Sequence, residues 1–191
     1  NPVNRAWAQY WANVRKGNEP LSPIEAFDAE QERIGRSQRN LFKFGYQARS
    51  RLYEQLLPFF EGLKPCQRHI IVLENYRDNP EFENKRLHQF LDLPTSIEIP
   101  LKLAKSGANS GGLPRFQKFH HVISRQKSRF WHFESTRTLW KELNYWNLTK
   151  WGKPYPKIDD NCHEYLSNAL SDEKKNLIEL MKWHKDPWQD D

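Results

Sequence analysis

His69-Ile70-Ile71-Val72-Leu73-Glu74 decides how this chain is read. It is a continuous apolar, β-branched run closed by a charge. Such a run suits a strand buried on both faces rather than an amphipathic element with one wet side. A strand of that kind needs neighbours on both sides, and a parallel sheet needs several strands. Nothing else in the sequence reads as convincingly extended. The chain is therefore expected to be either mostly helical with a stray strand, or the helix-rich part of an α/β sheet protein whose other strands lie in further sequence.

Outward from that run, the segments read as helices. Arg5 to Lys16 places Trp7, Tyr10, Trp11 and Val14 at i, i+3, i+4 and i+7, one apolar stripe. Gly17-Asn18 ends it and Pro20 follows. Ser22-Pro23 opens a second helix to about Ile34, with Ser22 as cap, Pro23 at the first position and Glu25 in the first turn. Gly35 to Asn40 is a polar break. Ser50 to Glu61 is helical despite Pro58, and Gly62 to Gln67 is a turn. Asn79-Pro80-Glu81 starts a helix whose buried face is expected to carry Leu87, Phe90 and Leu91, and Leu93-Pro94 stops it. Thr95 to Pro114 is a long loop containing Gly107, Gly111 and Gly112, of a length that is usually functional. Further helices are expected near Phe116–Lys127, Thr136–Asn144, Asp159–Ala169 and Ser171–His184.

The chain has 191 residues, 37% hydrophobic and 28% charged, which suits one polar globular domain. Its 8 tryptophans supply apolar area that the sparse aliphatic residues do not. No apolar run reaches the roughly 20 residues of a membrane span. Cys66 and Cys162 stand alone, which fits a reducing, cytoplasmic setting. His120-His121 and Cys162-His163 are adjacent pairs, and neighbours on a helix diverge by about 100°, so no metal site is expected. Net charge is +6. From Ile99 to Phe133 there are seven basic residues and no acidic one, among them Arg115, Lys118 and Arg125. A basic block beside a glycine-rich loop favours an anionic ligand; the plainer alternative is a solvated basic face.

The order of short motifs carries a resemblance. Asn1-Pro2-Val3-Asn4-Arg5-Ala6-Trp7-Ala8-Gln9-Tyr10 resembles the pattern R-x-P-V-x-R-A-x-S-x-Y. Gln55-Leu56, with Pro58-Phe59-Phe60, resembles Q-L-x-P-W-L. Ile71-Val72-Leu73-Glu74-Asn75-Tyr76, with Pro80, resembles V-L-x-Y-E-D-L-x-x-x-P. Gln89-Phe90-Leu91-Asp92-Leu93-Pro94 resembles E-F-L-G-L-P, and Asn109-Ser110-Gly111-Gly112-Leu113-Pro114-Arg115 resembles a bacterial N-x-S-G-x-P-R loop. Tyr165-Leu166, Leu177-Ile178 and Trp188 echo the closing helix and near-terminal Trp. Together they resemble the C-terminal portion of sulfotransferases that use 3′-phosphoadenylyl sulfate (PAPS), over nearly the whole chain.

The resemblance implies an α/β fold related to nucleotide kinases, with a central parallel sheet, of which residues 1–191 would be the helix-rich C-terminal part with one clear strand. The phosphosulfate loop, of K-x-G-T-T type, would lie upstream. It implies PAPS as co-substrate without a metal, and transfer of a sulfuryl group to a hydroxyl or amine, a carbohydrate being one candidate acceptor. It places Arg5 and Ala8 in the 3′-phosphate motif and Gly111, Gly112 and Arg115 in a loop that closes on the nucleotide. Gly111-Gly112 would let backbone approach a ligand, and Arg115 then begins a helix. The ordinary role for Arg5 is a surface ion pair; for Arg115, ligand contact is favoured. Ala8 stands where the motif has Ser, so one hydroxyl contact is lost. Asn75, Asp92 and Phe116 also depart from the pattern. No catalytic residue is assigned, and His120 and His121 read as surface histidines rather than bases. Two other readings stand beside this one: a basic aromatic module gripping RNA or acidic polysaccharide, and a sulfotransferase fold that has lost catalysis.

Overall fold

The computed structural model describes residues 1–94, 112–126, 134–148, 155–184 and 186–188. Among these residues the chain is helical and contains no strand; its one β-type contact is an isolated antiparallel bridge between Pro114 and Leu148. The central parallel sheet expected above is therefore absent, and the α/β assignment is corrected to a helical one. The physical reason lies in the opening run. Arg68 and Val72 both keep extended dihedrals, as a β-branched segment prefers. No second extended segment among the described residues offers it hydrogen bonds. From Leu73 the chain turns helical, with the Tyr76 amide donating to the Val72 carbonyl at 3.0 Å. Ile71 is 39% exposed and Leu73 55%, so the run is not buried on both faces either.

The chain divides into two compact units. The larger comprises Pro2–Ser50 and Ser110–Ser171. Its helices are α1 (Pro2–Arg15), α2 (Pro23–Asp28), α3 (Glu30–Gly35), α4 (Gln38–Phe44), α8 (Gln117–Arg125), α9 (Glu134–Asn147) and α10 (Asp160–Ala169). The stripe on α1 seeds its core. Trp7, Tyr10 and Val14 are buried against Ala26, Phe27 and Tyr46, and against Cys162, Leu166 and Leu170. Aromatic rings interlock through this centre: Tyr10 stacks on Trp7 at 5.9 Å and meets Phe27 edge-on at 5.9 Å, and Phe27 meets Tyr46 edge-on at 5.7 Å.

Polar groups complete this interior. Glu19 is fully buried. It accepts a two-pronged contact from Arg33, at 2.6 and 3.2 Å, and bonds from the Tyr46 hydroxyl at 2.5 Å and the Leu21 amide at 3.0 Å. Glu30 is also buried and accepts the Gln47 and Ala48 amides at 2.8 and 2.7 Å. The expected long second helix is divided at Ala29 into α2 and α3. The expected polar break instead starts α4, where the Ser37 hydroxyl accepts the Asn40 amide at 3.2 Å.

The second unit comprises Arg51–Asn109 and Asp172–Asp191, with Asn1. It holds α5 (Leu52–Gly62), α6 (Leu73–Asp78) and α7 (Pro80–Leu91), and α11 (Ser171–Met181) from its second residue. Asn79 caps α7, accepting the Phe82 amide at 3.2 Å. Its buried face is not the expected apolar one. Glu83, Asn84 and His88 are buried, while Phe90 and Leu91 are exposed. Glu83 is engaged by Arg86 at 3.0 Å, and His69 stacks on Phe90 at 5.0 Å. Trp188 is buried and meets Trp183 edge-on at 5.5 Å.

Candidate functional site

Arg115 lines a cleft in the larger unit, and its backbone is fixed from α9. The Arg115 amide donates to the Asn147 carbonyl at 2.7 Å. The Asn147 side chain, fully buried, accepts the Phe116 amide at 2.9 Å and donates to the Phe116 carbonyl at 3.2 Å. Gln117 anchors the first turn of α8 by donating to the Leu21 and Glu19 carbonyls at 2.7 and 3.0 Å. These bonds fix the backbone of Arg115 and Phe116 and tether the Gln117 side chain, so the chain entering α8 starts from a rigid base. Removing the clamp with Asn147→Ala leaves two Phe116 backbone groups without their partner. We expect a loss of about 2 kcal/mol in urea unfolding, together with a change in the fluorescence of the adjacent Trp146; an unchanged midpoint would show that water replaces the amide.

The cleft has a volume of about 940 Å³ and is lined by Pro20, Ser22, Glu25, Arg115, Lys118 and an aromatic wall. In the wall Phe116 stacks on Trp146 at 5.8 Å with 22° between planes, and Phe119 meets Trp146 edge-on at 6.5 Å. The wall is open: Phe116 is 56% exposed, Trp146 55% and Phe119 38%. Among the described residues no ion pair engages Arg115 or Lys118. Glu25 is tied to its own helix start, accepting the Ser22 hydroxyl at 2.6 Å and the Ser22 amide at 2.9 Å. Those bonds, and then the charge of Lys118, hold the Glu25 carboxyl below the usual carboxylate range.

Arg5 does not line this cleft. It is half-buried on α1, donates to the Ser50 hydroxyl at 3.3 Å, and no ion pair holds it among the described residues. The ion pair anticipated for it is thus replaced by a hydroxyl. Burial, and then the like charge of Arg49, lower the Arg5 pKa from its ordinary value. Ala8, half-buried on the same helix one turn on, offers no hydroxyl. Gly112 is buried just before the bridge at Pro114, and Gly111 lies outside the described residues.

The histidines expected at the surface have structural work. His120 is buried, and its Nε2 bonds the Arg15 carbonyl at 3.0 Å; His121 Nδ1 bonds the Gly17 carbonyl at 2.8 Å. Both close the C-terminal end of α1. Burial, and then Asp159, push the Cys162 thiol up to about 12, which leaves it inert at neutral pH. Among the described residues no group of three or more His, Cys, Asp or Glu side chains is placed to hold a metal, and no helix is long and apolar enough to cross a membrane. Sequence reasoning missed Asn147 and Trp146 as parts of the site. Neither lies in a quoted motif, and each meets its partner only across a long stretch of chain. Comparisons with family models, with characterised proteins and with solved structures find no match.

Proposed function

We propose that the chain is part of a PAPS-dependent sulfotransferase, moving a sulfuryl group from PAPS to a hydroxyl or amine acceptor in a reducing, cytoplasmic setting. The observation that carries the reading is the order and spacing of the motifs from Pro2 to Trp188. Two features of the larger unit support it. Arg5 sits beside the like charge of Arg49 with a hydroxyl for its partner, an arrangement that a bound dianion would relieve. Arg115 stands just before a helix start over a cleft, and among the described residues no ion pair engages it. In this reading Arg5, with the backbone around Ala8, and Gly111 and Gly112 with Arg115 after them hold the nucleotide. No side chain is assigned to the transferring sulfuryl group, and no K-x-G-T-T turn occurs in the 191 residues.

The test is calorimetric titration of 3′-phosphoadenosine 5′-phosphate into the whole protein, wild type and Arg115→Ala. We expect micromolar binding that the substitution weakens by about 1.5–3 kcal/mol, the worth of a charge-assisted hydrogen bond. No heat of binding to the folded wild type would overturn the reading.

A further inference from the structure

The lining of the cleft is of mixed character, and the mixture narrows what it can hold. Three large aromatic rings are exposed together, with Phe116 and Trp146 nearly parallel. Exposed rings of this size are costly to leave wet, and they suit a flat ligand face that is itself partly apolar. Two cations, Arg115 and Lys118, call for negative charge. Glu25 and Ser22, on the same lining, accept and donate hydrogen bonds and oppose dense negative charge. A nucleic-acid strand brings a phosphate for every base and would meet the ionised Glu25 unfavourably. A neutral apolar molecule would leave both cations unused. A hexuronate-bearing sugar suits this lining. Its C–H face covers the indole and phenyl rings, its carboxylate meets Lys118 and leaves Arg115 to the nucleotide of the reading above, and its vicinal hydroxyls donate to the Glu25 carboxylate. The volume lies within the range of about 300–1,000 Å³ found for small-ligand sites.

We infer that the cleft between the Ser22–Glu25 helix start and the Phe116–Phe119–Trp146 wall binds an acidic oligosaccharide containing hexuronate. As the acceptor of the proposed transfer, that sugar rests on the reading above; as a bound ligand, it does not.

A hyaluronan tetrasaccharide is the probe, titrated into the whole protein and followed by calorimetry and tryptophan fluorescence. Saturable binding is expected, and Trp146→Ala and Lys118→Glu should each weaken it roughly tenfold or more. A neutral chitin tetrasaccharide should bind roughly tenfold more weakly than the acidic one. Lys118 is exposed, so Lys118→Glu carries the test where Trp146→Ala lowers the melting temperature. No binding to the folded wild type, or binding that neither substitution weakens, would overturn the inference. So would a single-stranded RNA oligomer that binds more tightly than the glycan and loses affinity with the same variants. Parallel titration with 3′-phosphoadenosine 5′-phosphate separates the two claims. Nucleotide bound without glycan sinks this inference alone, and glycan bound without nucleotide sinks the transferase reading alone.

Discussion

Replacing Glu19 by Ala is expected to remove about 3–5 kcal/mol of folding free energy, measured as a lower urea midpoint at constant slope. Glu19 is fully inaccessible and serves three donors at once: the Arg33 guanidinium, the Tyr46 hydroxyl and the Leu21 amide. Truncation strands all three. The greatest loss comes from Arg33, whose charge was matched by this carboxylate and is only 17% exposed. The Tyr46 hydroxyl is set against Glu19 so firmly that burial, and then the carboxylate, raise its pKa above the ordinary value. Glu19→Gln keeps one acceptor oxygen and should lose less. The double variant Glu19→Met with Arg33→Met should recover much of the loss, because a buried ion pair is often matched by apolar groups of similar volume. A single-variant loss below about 1 kcal/mol would mean that water reaches Arg33 once the carboxylate is gone.

Glu19 also shows where sequence reading stops. The stripe Trp7, Tyr10, Trp11 and Val14 could be read because one face of one helix carries its own periodicity. The caps at Asn79 and Gly17 could be read because their chemistry is local. The strand could not be settled that way. His69–Val72 has the composition of a strand and takes extended dihedrals at its ends, but pairing is a property of a second segment. Helix α4 has no fully buried residue and only Phe44 packs partly against the core, so no clear buried stripe marks it. On α7 the pattern misleads, because a polar face built on Glu83, Asn84 and His88 lies inside while Phe90 and Leu91 remain exposed. The candidate site divides in the same way. Arg115 follows glycines and could be singled out; the clamp from Asn147 reaches back 31 residues and leaves no local trace.

Gly17→Ala should cost about 2–5 kcal/mol, from two causes that add. The first is conformational. Gly17 has φ of +68°, and the turn it makes is defined by two hydrogen bonds: Gly17 to the Val14 carbonyl at 3.0 Å and Asn18 to the Asn13 carbonyl at 2.9 Å. This paired pattern ends a helix through a left-handed residue, and a side chain there costs about 1–2 kcal/mol. The second is steric. A Cβ on Gly17 would stand 2.1 Å from Ser124 Oγ and 2.4 Å from Ser124 Cβ, with the His120 carbonyl at 3.2 Å. Ser124 lies on α8, the helix that also carries His120 and His121 to the end of α1. Relief therefore requires α8 to move, and with it the Phe116 and Lys118 side of the cleft. The substitution should lower both the unfolding midpoint and the affinity for the acidic tetrasaccharide. Pairing it with Ser124→Gly tests the division: the steric part should return and the left-handed strain of about 1–2 kcal/mol should stay. If Ser124→Gly restores nothing, the close approach of α1 and α8 is not what the glycine serves.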